Sequence, residues 1–182
     1  MAKAPVTAVS IGVPTLNGEH YLSALMDSLD HQTRRDFEVI LVDDASDRGG
    51  GLEAIKDRYE WLQIIRRKER GGFAVTVNQG IRAARSSLIA LLNVDTVVRE
   101  EYVERHLQIL GEHPEIGILG CVILGPSDGV WFSGGRFAGG RPIHLTDRPA
   151  AIRQPDFITF CSTFIRRELI ERIGMLDEGF FA

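Results

Sequence analysis

At 182 residues the chain has the length of one domain, or of one large part of a longer enzyme, and an apolar fraction of 44% supplies a sizeable core. Its formal charge of -4 argues against a nucleic-acid surface, which would be basic. No long apolar segment follows Met1–Pro5 and no run approaches a membrane span, so the expectation is a soluble, cytoplasmic protein without a signal peptide. Peripheral association with the inner face of a membrane stays open.

Thr7 to Val13 reads as a first strand that Pro14 ends, and Asn17-Gly18 offers a turn and a helix start. Leu22, Leu25, Met26 and Leu29 then recur at i, i+3, i+4 and i+7, one apolar stripe facing a sheet. Phe37 to Val42 is a second strand, running into Asp43-Asp44-Ala45-Ser46. A flexible loop over Asp47–Gly51, a helix over Leu52–Tyr59 and a short strand over Leu62–Ile65 follow. Gly71-Gly72 marks a loop feeding a helix from about Ala74 to Ala84. The run Leu88–Leu92 is apolar without alternation, the pattern of a strand buried on both faces, and it ends abruptly in Asn93-Val94-Asp95-Thr96. Tyr102–Leu110 is helical, with Val103, Leu107 and Leu110 on one face, and Ile116–Leu124 is a further apolar strand. This alternation predicts an α/β fold, a mainly parallel central sheet with helices on both faces. Beyond Gly125 the texture changes: Gly129–Arg141 is rich in glycine and aromatic residues, and the following polar stretch to Gln154 carries Pro142 and Pro149. Few apolar anchors predict a long mobile loop over Gly125–Gln154. Phe157–Ile165 reads as a strand and Arg167–Ile173 as a short helix with Gly174 at its C-cap.

Two strands therefore end in acid, at Asp43-Asp44 and at Asp95. In a parallel sheet both ends project from one edge, where α/β proteins bind ligands. Carboxylates gathered there repel one another, so a metal ion or a ligand rich in hydrogen-bond donors is expected among them. The plain alternative is turn chemistry, since Asn and Asp commonly terminate strands. Other signatures are missing. No Gly-x-Gly-x-x-Gly follows the first strand, which speaks against a dinucleotide-dependent oxidoreductase. Gly120 and Gly125 have phosphate-loop spacing, but Pro126-Ser127 stands where Lys and Ser or Thr are required. The histidines show no metal spacing, and His106 and His113 read as solvated positions on one helix. Cys121 and Cys161 are too few for a disulfide framework and read as buried or partly buried thiols.

Val13-Pro14-Thr15-Leu16-Asn17, Leu41-Val42-Asp43-Asp44-Ala45-Ser46, Gly72-Phe73-Ala74 with Asn78, Gly80 and Ile81, Leu91-Leu92-Asn93-Val94-Asp95-Thr96, and Gly174–Phe181 after Phe164–Arg167 carry a resemblance. Together, in this order, they resemble the family-2 glycosyltransferases of the GT-A (nucleotide-diphospho-sugar transferase) fold, particularly rhamnosyltransferase-like members. No one of these motifs is specific alone; five in order are, and they span nearly the whole chain.

The resemblance implies an inverting transferase that moves a sugar from a UDP- or dTDP-linked donor to a hydroxyl of a glycan or lipid-linked acceptor, as in polysaccharide biosynthesis. It implies a donor site drawn from Pro14, Thr15, Asn17, Asp43, Asp44, Gly72, Asn78, Asn93 and Asp95. Asp44 would accept a hydrogen bond from the pyrimidine base, and Asp95 would coordinate a divalent cation, manganese or magnesium, on the diphosphate. Two departures stand out. Asn93 replaces the first acid of the metal motif, and Val94 replaces the proline of its nearest variant. The family's general base is expected beyond Ala182, so the single nucleotide-sugar domain over 1–182 reads as truncated at its C-terminus. Asp177 and Glu178 are the fallback candidates. The competing reading is a nucleotide-sugar-binding module without turnover.

Overall fold

The computed structural model describes residues 7–47, 52 and 55–180. Strand β2 (Phe37–Asp43) is buried at all seven positions, Glu38 and Asp43 included, and the continuous apolar run of β4 (Leu88–Leu92) at all five, as a sheet covered on both faces requires. They lie in one six-stranded sheet with β1 (Val9–Thr15), β3 (Leu62–Arg66), β5 (Ile118–Gly120) and β10 (Ser162–Arg166), in the order β3-β2-β1-β4-β10-β5. Strands β3, β2, β1 and β4 are parallel; β10 runs antiparallel between β4 and β5.

Alternation along β4 sorts the core into two layers. Ala90 and Leu92 join α1 (Glu19–Asp30) and α3 (Tyr102–Glu112) on one face, through Leu22, Leu25, Leu29, Val103 and Leu110. Ile89 and Leu91 meet Val77 and Ile81 of α2 (Gly72–Ala83) on the other, with Leu169 and Ile170 of α4 (Arg167–Ile173) packed alongside. The expected α/β sheet with helices on both faces is the one observed. Strand order reverses at β1: β2 lies on one side and β4 on the other, which opens a crevice beyond their carboxyl ends.

Several expectations are corrected. Pro14 does not end β1; it sits in register with Val42, and the strand continues to Thr15. Pairing with β4 stops at Gly12, so Pro14 is flanked on one side only, where a residue without an N–H is tolerated. Of the helix expected over Leu52–Tyr59, Leu52 and Ile55 are helical and residues 56–58 form a turn; positions 53 and 54, like 48–51 of the preceding loop, lie outside the described residues. The strand expected over Ile116–Leu124 is two strands. After β5 the chain leaves the main sheet, and β6 (Ile123–Leu124) pairs with β7 (Val130–Phe132).

The long loop expected over Gly125–Gln154 is overturned as well. It holds β7 and a hairpin of β8 (Gly135–Ala138) with β9 (Arg141–His144). The hairpin turns on Gly139-Gly140, both at positive φ, as a two-residue loop between twisted strands requires. Phe132, Phe137 and His144 close around Phe157. A Cβ at Gly135 would fall inside the Phe157 ring, so only glycine lets that strand approach. These anchors are aromatic residues spaced irregularly in sequence, which is why periodicity hides them. Phe157 makes a bridge to Gly135 rather than starting β10.

His106 is a further correction: it is not solvated. It is 8% exposed, stacks on Phe164 with ring centroids 4.3 Å apart, and shares a 2.7 Å hydrogen bond with the Tyr102 carbonyl. Burial holds its pKa below the ordinary 6.5. The unfolded chain therefore takes up a proton before the native one does, so stability is full above pH 6.5 and falls as pH drops from there toward the lower native value. Denaturant unfolding at pH 7.5 and at pH 5.5 should show this loss in the wild type. His106→Phe should flatten that part of the profile; an unchanged slope would place the acid sensitivity elsewhere.

Candidate functional site

The crevice at the carboxyl ends of β1, β2 and β4 is a cavity of about 490 Å³, within the range of small-molecule sites. Strand β1 supplies Pro14 and Thr15, the next turn supplies Asn17, and Asp44 follows β2. Gly72, Phe73 and Thr76 come from the start of α2, and Asn93, Val94 and Asp95 follow β4.

Asp44 is the centre of one wall. Its side chain is 5% exposed. Oδ1 accepts from Arg67 Nε at 2.8 Å and from the Gly71 amide at 2.9 Å, and Oδ2 accepts from the Gly72 amide at 2.8 Å. Gly72 holds φ at 81°, so its amide can aim at the carboxylate and still open a helix; a side chain there would be strained. Burial alone would raise the Asp44 pKa, but the two amides, the Thr76 hydroxyl and the Arg67 guanidinium outweigh it and hold it below the ordinary carboxylate value. A carboxylate has about four lone-pair sites, and Asp44 also lines the cavity.

The loops around it are tied together. The Asn17 amide donates to Ser46 Oγ at 2.8 Å, the Asn17 side chain and Asp47 exchange hydrogen bonds at 3.0 and 3.2 Å, and Arg70 reaches Asp47 at 2.7 Å. Asn17 and Ala45 both sit at positive φ, 54° and 58°. Ala45 takes this conformation without a local hydrogen bond of its own to repay it, the kind of backbone cost that collects at functional sites.

Seven of the nine positions expected at the donor site line this cavity: Pro14, Thr15, Asn17, Asp44, Gly72, Asn93 and Asp95. Asp43 and Asn78 do not. Asp43 is fully buried behind the strand end, where Ser46 donates to it from its backbone and its hydroxyl, and Arg66 lies at 3.2 Å. Asn78 is 1% exposed on α2; it binds the Leu176 amide and carbonyl and Glu178, which fastens the chain after α4 to that helix. Both are polar groups placed by packing, which motif position alone does not reveal. Glu178 is also paired with Arg82 at 3.1 Å, and its hydrogen bonds to Asn78 and Arg82 hold its pKa low. Neither it nor Asp177 lines the cavity.

The sequence argument that clustered carboxylates demand a metal or ligand needs revision. Arg66 neutralises Asp43 and Arg67 neutralises Asp44. Asp95 differs: it is exposed at the cavity rim, and these arginines are committed to the other two acids. Among the described residues no group of three or more His, Cys, Asp or Glu side chains is arranged around a metal. One free carboxylate beside the Asn93 amide fits a hard cation that takes its other ligands from phosphate and water, and does not fit a protein-enclosed metal cage. A thiolate has no part in this: burial first, and the Asp95 charge next, push the Cys161 thiol up to about 11.

Leu16, Gly18, His20, Tyr21, Phe73, Thr76 and Val94 also line the cavity and were not expected there. His20 and Tyr21 lie on the first turn of α1, off its apolar stripe, a placement that could have flagged them. Arg67 carried no signal beyond following a strand. Thr15 Oγ1 is a buried hydroxyl without a partner among the described residues, on a side chain that lines the cavity. Such an orphan is expected where a ligand supplies the missing hydrogen bond.

The family model for glycosyl transferase family 2 matches residues 10–174. An uncharacterized glycosyltransferase of Bacillus subtilis, EpsJ, is 30% identical over 178 residues, which cover 94% of this chain and 51% of that protein. Among solved structures, S. aureus TarS 1–349 superposes with a TM-score of 0.70 at 20% identity, covering 96% of this chain and 52% of that one. TarS 1–349 has also been solved with UDP. The mannosyltransferase PcManGT from Pyrobaculum calidifontis, in complex with GDP-Man and Mn2+, superposes with a TM-score of 0.69 at 20% identity, covering 93% of this chain and 47% of that one. The chain thus spans about half the length of these relatives, and it shares their GT-A fold.

Asp44→Ala removes the common acceptor of Arg67, Gly71 and Gly72. Leaving a mostly buried guanidinium unpaired should destabilise the protein by about 3 kcal/mol, read from denaturant unfolding at pH 7. The native Asp44 pKa lies below 3.8, so its contribution is full above that pH and is lost as pH falls through the native value. Wild-type and variant stabilities should therefore converge at the acid end; a constant gap down to pH 2 would deny Asp44 this role.

Proposed function

The chain belongs to glycosyl transferase family 2, and from that premise we propose that its cavity binds a nucleoside-diphosphate sugar for transfer to an acceptor hydroxyl. One observation carries this reading: a single cavity at the strand-order reversal holds both Asp44 and Asp95, one neutralised and walled in, the other free. Uracil and thymine each present one ring N–H, and Asp44 is the carboxylate that lines the cavity wall to accept it. UDP and dTDP donors both offer that group. Pro14, Gly72 and Phe73 give the base flat or apolar walls, and the orphaned Thr15 hydroxyl supplies a partner for the nucleoside.

The diphosphate would extend toward Asn93 and Asp95. A divalent cation there would be held by the Asp95 carboxylate with Asn93 beside it, and would supply Lewis-acid stabilisation of the charge on the departing diphosphate. Asp95 contributes the negative charge that favours such an ion, and Asn93 adds a neutral oxygen. Attack by the acceptor from the side opposite the leaving group gives inversion, with the acceptor a hydroxyl of a glycan or of a lipid-linked sugar. PcManGT with GDP-Man and Mn2+ and TarS with UDP-GlcNAc support a nucleotide sugar and a metal as the class of ligand.

The second reading is donor binding without turnover. It draws on the acidic pair after α4, where Glu178 is tied to Asn78 and Arg82 and neither acid lines the cavity. Donor affinity and transfer rate, measured on the same preparation, separate the two: tight binding with no transfer favours the module.

Titration calorimetry of UDP with and without manganese tests the metal assignment. Manganese should tighten binding to the wild type, and the enhancement should vanish in Asp95→Ala. Asp95→Asn keeps the shape but not the charge and should fail nearly as completely. A manganese effect that survives Asp95→Ala would refute the role of Asp95.

A further inference from the structure

The turn that carries Asp95 has no regular structure of its own. From Asn93 to Glu101, between β4 and α3, the chain is neither helix nor strand. It lies instead along α1 and is fastened there at several levels. Just past the end of α1, the Gln32 side-chain amide donates to the Arg99 carbonyl at 2.8 Å, and the Thr33 amide donates to the Glu100 carbonyl at 2.9 Å. Midway, the Val98 amide donates to Ser28 Oγ at 3.2 Å. At the cavity end the contact is of a different kind: Val94 rests against Gly18.

Gly18 is the N-cap of α1, with φ at −95°, a conformation open to any residue, and no side chain caps the helix. Ser, Asn or Asp at that position would supply a cap, so neither backbone freedom nor capping explains the glycine. Room explains it. A Cβ there would stand 2.7 Å from Thr15 Oγ1, and 2.8 and 3.4 Å from the two γ-methyls of Val94. Val94 does not yield freely, because it is β-branched and packs against the main core cluster. Gly18 is not free to withdraw either: Asn17 beside it is tied to Ser46 and Asp47, on the Asp44 side of the cavity.

We propose that Gly18 is a positioning residue for the cation ligand. Its bare backbone is the stop against which Val94 rests, and that contact sets where the next residue, Asp95, stands at the cavity rim. The inference rests on the reading of Asp95 as the carboxylate that holds the cation. A cation held by one protein carboxylate depends on where that carboxylate stands, and the residues packed behind a metal ligand decide its place. The segment from Thr15 to Gly18 thereby joins the two halves of the site. Asn17 fixes it to the loop after Asp44, and Gly18 fixes it to the turn of Asp95.

The test is titration calorimetry of UDP across a range of manganese concentrations, on the wild type, Gly18→Ala and Gly18→Ala/Val94→Ala. Gly18→Ala should raise the manganese needed for half of the enhancement about 10- to 100-fold, the usual loss when a residue behind a metal ligand is disturbed. UDP affinity without manganese should change less. The double variant, in which a smaller side chain makes room for the added methyl, should recover most of the wild-type response; a general folding defect would not be repaired that way. Denaturant unfolding identifies a Gly18→Ala chain that does not fold. Val94→Ile then crowds the same contact with Gly18 in place and should weaken the manganese response alike. A wild-type manganese response in folded Gly18→Ala, or a double variant no better than Gly18→Ala, overturns the proposal. Absence of any manganese response in the wild type would instead refute the cation reading itself, and the role of Gly18 with it.

Discussion

The Asp44 carboxylate is the joint on which the site depends. It belongs to the end of β2, yet it gathers the guanidinium that follows β3 and the first amides of α2. Three separate segments thus share one buried anion. The charge is stable there because the donors are charged or held rigidly by backbone, and such bonds are the strong ones. Without it the glycine loop would have no reason to close against the sheet, and the cavity would lose a wall.

The opposite end of the sheet is secured in a similar way. Glu38 of β2 is nearly buried and accepts from Ser10 at 2.6 Å, from the Arg85 amide at 2.9 Å and from Arg85 Nε at 2.7 Å. This network locks β1 and β2 to the chain entering β4, away from the cavity. The two carboxylates therefore hold the parallel core at both ends, while Asp95 at the carboxyl edge is exposed and makes no ion pair among the described residues. Rigid anchoring behind and an unneutralised charge in front suit a site that must receive a diphosphate and its counter-ion.

The neutralisation pattern gives the acids distinct roles. Asp43 and Asp44 are neighbours in sequence but lie on opposite sides of their strand end, with Arg66 and Arg67 alternating to match them. One pair braces the turn from behind and the other lines the cavity. Asn78 shows the same divergence. It lies in a motif that resembles a donor-site segment, yet its amide is spent on the chain after α4.

The sequence by itself determined the layered architecture. Leu88–Leu92 is apolar at every position, Phe37–Val42 at every position but Glu38, and the helix stripe of Leu22–Leu29 has one period, so the parallel sheet, its helices and the acidic strand ends follow from local pattern. Family resemblance added half of the cavity positions. Tertiary structure alone decided which carboxylates are spent and which is free, because neutralisation depends on arginines more than twenty residues away in the chain. It also decided that Gly125–Gln154 folds into paired strands around Phe157 rather than a loose loop, and that His106 is buried against Phe164. In each case the deciding contact joins segments with no regular spacing between them, and a pattern read along one dimension carries no trace of it.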